Sequence, residues 1–233
     1  MRILLVEPDV MTRKRLSVAL SSGGFNVEAV ASGEDALDLA RSFEFSVIVS
    51  ELNLPDLHGF DLIRKLRAAK IKTPLLVLST VDHIDTKVAA FGDGADDYVT
   101  KPFHPGELAA RLRALVRRSS GHADRIVRTG GLSIDLDAKT VELDGNPVDL
   151  TAKEYAVLEL LALRRGRPIT KEMFLDHVYG HLDEPISKVI DVYICRLRKK
   201  LAATSTGESY IGTLRGRGYV LREPESEPSL LAA

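Results

Sequence analysis

The sequence predicts an α/β protein in which a doubly wound, parallel five-stranded sheet is followed by a smaller α+β domain. Three observations predict it. From residue 2 to about residue 118, five apolar runs of strand length alternate with stretches of helical periodicity. The runs are nearly continuous in apolar character, as strands covered by helices on both faces must be. Beyond residue 119 the alternation stops, and short strand-like pieces, three helical stretches and a last strand pair take its place.

The strands of the first domain are ILLV (3–6), VEAVA (27–31), VIV (47–49), LLVLS (75–79) and DYVTK (97–101). The helical stretches are TRKRLSVALSS, SGEDALDLARS, FDLIRKLRAAK, DTKVAAFGDG and PGELAARLRALVRR, and the short loops between them support one domain over residues 1–118. SSGHAD (119–124) is small and polar, and places a linker at 119–125. IVRTGGLSIDLDAKTVELDGNPVDL follows, with turn signals at Gly130-Gly131 and Asp144-Gly145-Asn146. Helices are expected in TAKEYAVLELLALRR, TKEMFLDHVYG and PISKVIDVYICRLRKKLA, and a hairpin in SYIGTL and GYVLRE around Arg215-Gly216-Arg217-Gly218. The second domain is thus 126–222. The tail 223–233, with Pro224 and Pro228, is expected to be disordered.

With 233 residues, 45% of them hydrophobic, the chain can bury two ordinary cores. Its one cysteine, Cys195, excludes a disulfide framework and a cysteine-based zinc site. There is no signal-peptide pattern and no apolar stretch of membrane-spanning length, so a cytoplasmic location without a membrane partner is expected. The net charge is −1, so any basic surface for nucleic acid must be local.

In an open parallel sheet, ligands sit beyond the carboxyl ends of the strands, near the point where strand order reverses. The first strand ends in Glu7-Pro8-Asp9, the third in Glu51, the fourth in Ser79-Thr80 and the fifth in Lys101-Pro102. This set suits phosphoryl chemistry. Carboxylates hold Mg2+, one of them attacks, and the hydroxyl and ammonium meet the incoming oxyanion. Any one of these acids alone would read as a solvated strand end; their joint placement carries the inference.

LNLPDLHG (52–59), GADDYVTKPF (94–103) and the acidic end of the first strand resemble the receiver domain of bacterial response regulators. LTAKEYAVLELL, IDVYICRLRKKL and RGRGYVL resemble the winged-helix effector domain of the OmpR/PhoB class. Within that class, KTPLLVLS, HIDTK, KEMFLDHVYG, DEP and VIDVYICRLRKKLAA resemble the alphaproteobacterial cell-cycle regulators. The resemblance covers residues 1–222. It implies a flavodoxin-like receiver, a winged-helix DNA-binding domain, and a transcriptional regulator of the two-component type rather than an enzyme.

The register set by LNLPD puts Glu51 at the phosphoacceptor position, where the family carries aspartate. Pro8 replaces one of the expected acids, Thr80 stands where a small residue is usual, and Ser79 and Lys101 match the family's switch hydroxyl and lysine. A glutamate carboxylate lies about 1.5 Å further from the backbone than an aspartate one, which is comparable to the tolerance of an in-line attack. Glu7, Asp9 and Glu51 then offer at most a weak Mg2+ site, and no other cofactor is implied. Control by a sensor kinase is not expected. Two readings of Glu51 stand open: partial mimicry of a phosphoaspartate through Lys101 and Ser79, or a pocket in which Glu51 only pairs with Lys101.

The resemblance further implies a homodimer through the fourth helix, fifth strand and fifth helix, where Lys87, Asp96, Asp97, Glu107, Arg111 and Arg118 match the family's symmetric ion-pair face. In the helix near residues 186–201, Ile190, Ile194, Leu197 and Leu201 form a core-facing stripe, while Lys188, Val192, Arg196 and Lys199 share another face suited to the major groove. Arg198 and Lys200 are expected on phosphates, and Thr213, Arg215 and Arg217 form a basic wing. By resemblance, Val192 and Arg196 face bases, Thr213 and Arg215 occupy wing positions, and Tyr193 edges that surface. The implied partners are double-stranded DNA with two AT-rich half-sites, and RNA polymerase, met by residues 180–185. His177 and His181 are expected at the surface or a helix end, and Cys195 in packing. Two rival functions remain: a kinase-controlled phosphorelay protein, and a receiver-based adaptor that binds DNA weakly.

Overall fold

The computed structural model describes residues 1–121, 124–179, 187–202 and 210–223. The chain divides into two compact units, Met1–Ala123 and Asp124–Ala233. The linker expected at 119–125 begins inside a helix, because the fifth helix continues through Ser119. The expected tail lies, beyond Glu223, outside the described residues.

In the first unit, strands β1 (Arg2–Val6), β2 (Asn26–Val30), β3 (Val47–Ser50), β4 (Leu75–Ser79) and β5 (Asp97–Thr100) alternate with helices α1 (Val10–Ser22), α2 (Gly33–Ser42), α3 (Gly59–Ala68), α4 (Ile84–Asp93) and α5 (Pro105–Ser119). The sheet is parallel throughout, in the order β2-β1-β3-β4-β5. Strand order therefore reverses between β1 and β3, which places the ends of those two strands at the crevice. β1, β3 and β4 are buried along their whole length, which accounts for their unbroken apolar sequence. Leu4, Val6, Ile48, Leu62, Leu66, Leu75 and Val77 join in one core beneath α2 and α3.

The helices begin at the crevice side, and a side chain caps the start of α1, α2, α3 and α5. Asp9 caps α1, and Ser32 caps α2, with Asp56 accepting from the backbone of Gly33 and Glu34 at 2.9 and 2.8 Å. Asp56 thereby ties the loop after β3 to α2. That loop folds back on Leu52, and a Cβ at Gly59 would lie 2.6 Å from the Leu52 Cα, so the close approach requires glycine.

The second unit opens with an antiparallel sheet of β6 (Ile126–Thr129), β7 (Leu132–Asp135), β8 (Thr140–Leu143) and β9 (Asn146–Pro147), in sequence order. Helices α6 (Ala152–Leu163), α7 (Lys171–Tyr179) and α8 (Lys188–Ala202) follow, and β10 (Ile211–Leu214) pairs antiparallel with β11 (Gly218–Leu221). Thr151 and Glu154 cap α6 reciprocally as a capping box. Phe174 of α7 and the stripe Ile190, Ile194, Leu197 and Leu201 of α8 are buried against α6, as their helical spacing predicts.

Of the two places expected for His177, the structure gives the helix end, in the last turn of α7, and not the surface. His177 is buried, with Nε2 3.3 Å from a Glu159 carboxylate oxygen, because the face of α7 that carries it packs on α6. Burial pushes its pKa down to about 4. His181 lies outside the described residues, as does the segment 180–185 expected to meet RNA polymerase.

Candidate receiver pocket and nucleic-acid interface

The ends of β1, β3 and β5 bring Glu7, Glu51 and Lys101 together. Glu7 is 3% exposed and Glu51 7% exposed, so neither carboxylate can rely on water for its charge. The Lys101 ammonium donates to Glu7 Oε2 and to Glu51 Oε2, each at 2.6 Å. The remaining oxygens accept from backbone: Glu7 Oε1 from Asp9 N at 3.1 Å, and Glu51 Oε1 from Leu52 N at 2.7 Å. Burial works against charge on Lys101, but the bonds to Glu51 and Glu7 outweigh it and hold its pKa above the ordinary lysine value.

The other expected pocket residues do not join this triad. Asp9 is exposed, and its Oδ1 accepts from Thr12 N at 2.7 Å as the cap of α1; hydrogen bonding from the Thr12 side chain and then its backbone holds the Asp9 pKa low. Ser79 is fully buried at the end of β4, and among the described residues no hydrogen bond joins it to Glu51. Thr80 is exposed beside it. A Mg2+ ion would require several oxygen ligands in near-octahedral array. Both buried carboxylates are engaged by Lys101, Asp9 is turned to its helix, and Pro8 has no side-chain oxygen. Among the described residues no group of three His, Cys, Asp or Glu side chains could hold a metal. The residues do not fit Mg2+, and the weak site expected from Glu7, Asp9 and Glu51 is not assembled.

Tyr98 belongs to this region and was missed. Its ring is buried in β5, and its hydroxyl donates to Val81 O at 2.6 Å, pinning the loop after β4. Lys87 lies over the ring at 5.7 Å and pairs with Asp82, which also accepts from Thr100 Oγ1 at 2.9 Å. The signal was a tyrosine inside an apolar strand, since a buried phenol needs a partner for its hydroxyl.

The expected dimer-face charges lie on or beside α4, β5 and α5, and most pair within the chain. Arg111 contacts Glu107 at 2.8 Å and Asp97 at 3.3 Å, and Asp96 binds Arg67 at 3.0 Å and the Leu75 amide at 2.8 Å. Arg118 is exposed near the end of α5. Between the charges lies an apolar stripe that was not anticipated. Ile84, Val88 and Phe91, at helical spacing on α4, are 66%, 62% and 48% exposed.

On α8, Lys188, Val192, Arg196 and Lys199 are exposed on one side of the helix. Cys195, expected in packing, is exposed among them, because it follows Val192 by three residues and precedes Lys199 by four. Three other expectations are corrected. Tyr193 is buried, and its hydroxyl lies 2.8 Å from that of Tyr179. Arg198 turns back to the hairpin, donating to Ile211 O and Thr213 Oγ1. Lys200 binds Asp149 O and Glu154 Oε2, both at 2.8 Å. At the margin of a buried stripe a long basic side chain can reach solvent or protein acceptors, and here both reach protein acceptors. Thr213, Arg215 and Arg217 are exposed along the hairpin, with Leu214 exposed between them.

Two family models match this chain: the response regulator receiver domain over residues 3–113, and the C-terminal domain of transcriptional regulatory proteins over residues 145–221. It is 54% identical to the cell cycle transcriptional regulator CtrA of Caulobacter vibrioides over 227 residues, covering 97% of this chain and 98% of that protein. It is 53% identical, with the same coverage, to the cell cycle response regulator CtrA of Brucella anthropi. Among solved structures, the response regulator DrrB of Thermotoga maritima matches at 31% identity and a TM-score of 0.46, over 95% of this chain and 98% of that one. With its parallel five-stranded receiver and its helix-and-hairpin second domain, the chain belongs to the OmpR/PhoB-type response regulators, as a CtrA-like DNA-binding transcriptional regulator.

Proposed function

We propose that this chain regulates transcription without being phosphorylated, its receiver held in one state by its own ion pairs. The observation that carries this reading is the triad Glu7–Lys101–Glu51. A phosphoacceptor must present a free carboxylate oxygen to the donor, with a metal to draw charge from the transferring group. Here both Glu51 oxygens are hydrogen-bonded, and the nearest cation is an ammonium on the same chain. Lys101 offsets the charge of both buried carboxylates, so the reading needs no metal, phosphoryl donor or sensor kinase.

Glu51 engages Lys101 but not Ser79. This favours a fixed receiver over a phosphoryl mimic, which would need to draw both groups together. The stripe Ile84, Val88 and Phe91, flanked by Lys87, Asp97, Glu107 and Arg111, supports a symmetric homodimer through α4, β5 and α5. The exposed face Lys188, Val192, Arg196 and Lys199 supports base reading in the major groove, with Arg215 and Arg217 on the flanking backbone or minor groove. Two AT-rich half-sites, contact with RNA polymerase and work in the cytoplasm complete the reading by likeness to the CtrA proteins; no described helix is long and apolar enough to cross a membrane.

The deciding experiment is intact-mass spectrometry after incubation with a small-molecule phosphodonor and Mg2+, with Glu51→Asp alongside. No added mass on the wild-type chain is expected. A phosphoryl adduct on it would restore kinase control and refute the proposal. An adduct on the variant alone would assign the block to the length of one side chain.

A further inference from the structure

We propose that Arg198 is a positioning residue for DNA recognition, which with Asp191 and Tyr219 clamps the wing hairpin to α8 and fixes the spacing at which helix and wing meet the duplex. The inference rests on the reading that α8 and the hairpin are the DNA-contacting elements. It assigns Arg198 a role other than the phosphate contact that its charge and position suggest.

The clamp grips both strands of the hairpin from one face of α8. Arg198 donates from Nε and Nη2 to Ile211 O at 3.0 and 2.7 Å, and from Nη2 to Thr213 Oγ1 at 2.7 Å, which holds β10. Its guanidinium lies 5.8 Å from the centroid of the Tyr219 ring. Seven residues earlier, two turns back and on the same face, Asp191 Oδ1 accepts from the Tyr219 hydroxyl at 2.6 Å, which holds β11. Asp191 Oδ2 accepts from Lys171 Nζ at 2.8 Å, tying the start of α7 into the same network. Behind it, Ile169 and Tyr219 exchange backbone hydrogen bonds of 2.8 and 2.9 Å. Only glycine allows that approach, because a Cβ at Gly218, which has φ +103°, would lie 1.9 Å from Ile169 O.

The hairpin needs such a device. Two strands alone are marginal in water, and β10 and β11 form a separate two-stranded sheet. The wing's exposed cations, Arg215 and Arg217, are useful only if held at a set distance from Val192 and Arg196. Arg198 suits the clamp because its planar fork binds a carbonyl and a hydroxyl together while its face covers an aromatic ring; a lysine cannot do this. Three of its donor bonds are spent inside the protein, whereas Arg196 and Lys199 on the same helix are exposed.

The test uses the full-length protein on a DNA site selected in vitro by the wild-type chain. Hydroxyl-radical footprints and salt-dependent affinities are measured for Arg198→Lys and Tyr219→Phe. The expected result is roughly tenfold weaker binding, the loss of about one charge-assisted hydrogen bond, with the protection next to the half-site lost and the half-site protection retained. Arg198→Lys would also give a shallower salt slope, as Arg215 and Arg217 leave their phosphates. If Arg198 were simply a phosphate contact, Arg198→Lys would keep slope, affinity and footprint, and Tyr219→Phe would be silent; that pair of results overturns the clamp. Should Arg198→Lys fold poorly, Tyr219→Phe decides alone, since it removes one hydroxyl and keeps the ring. Arg196→Ala and Arg215→Ala separate the two failures. If neither alters the footprint, the assignment of α8 and the hairpin to DNA is wrong, and the clamp falls with it. If they alter it while the clamp variants do not, only the clamp is wrong.

Discussion

The Lys101 ammonium lies 2.6 Å from Glu51 Oε2, so the buried carboxylate that follows β3 is bound by the cation that follows β5. The same nitrogen holds Glu7 at 2.6 Å. Removing a partner from a buried ion pair leaves an uncompensated charge, which costs about 3–5 kcal/mol. Lys101→Met strands two carboxylates and should destabilise the receiver by about that amount in urea unfolding. Glu51→Gln leaves Glu7 on the ammonium and should cost less, about 1–3 kcal/mol. Equal effects would show that the triad does not act as drawn.

The raised pKa of Lys101 has a signed consequence for alkaline stability. The folded chain holds this proton more tightly than the unfolded chain, whose lysine titrates near 10.5. The stabilisation is therefore fully present below about pH 10.5 and is lost as pH rises through the higher folded value. Unfolding midpoints for wild type and Lys101→Met should converge as pH climbs past that range. A gap that stays constant would contradict the assignment.

Metal dependence should follow the length of residue 51. A ligand that binds the folded state raises stability by RT ln(1 + [L]/Kd), so millimolar Mg2+ should leave the wild-type melting temperature unchanged. Glu51→Asp withdraws its carboxylate by about 1.5 Å, loosens Lys101, and should gain thermal stability with Mg2+. A Mg2+-dependent rise in the wild-type protein would mean that the ion displaces Lys101.

Val88→Asp places a charge in the middle of the exposed α4 stripe. If that stripe is the dimer contact, sedimentation should show monomers at concentrations where wild type pairs. Binding to a two-half-site DNA should weaken by roughly 100-fold or more through lost avidity, with single-half-site binding unchanged. Unaltered sedimentation would move the dimer elsewhere.

Within α8, the exposed cations should divide by role. Arg196→Ala is expected to cost about 1–3 kcal/mol at one base pair and to relax selectivity there. Lys199→Ala should weaken all sequences alike and reduce the salt slope by about 0.9. The reverse assignment in a mutated-site binding series would exchange the two roles.

The sheet was legible because strands buried on both faces leave little freedom in sequence: ILLV, VIV and LLVLS admit few other readings. The pocket was legible as a set of strand ends, since topology alone brings Glu7, Glu51 and Lys101 to one crevice. Pairing among side chains was less so. Arg198 and Lys200 sit on the margin of a buried stripe, where a long chain can reach outward or curl back, and helical position does not say which. Cys195 could have been placed by spacing, because it falls on the same face as Val192 and Lys199. The period of Ile84, Val88 and Phe91 was also visible, but periodicity marks an apolar face without distinguishing a core from a partner.

The triad has a consequence for how such a regulator would be governed. On the proposed reading, the receiver's state is set when the chain folds, and the quantity left to vary is how many copies the cell holds. Promoter occupancy then tracks synthesis and turnover. If only the dimer binds, occupancy at low abundance rises with the square of concentration, so a modest change in protein level becomes a sharper change in output without any covalent signal.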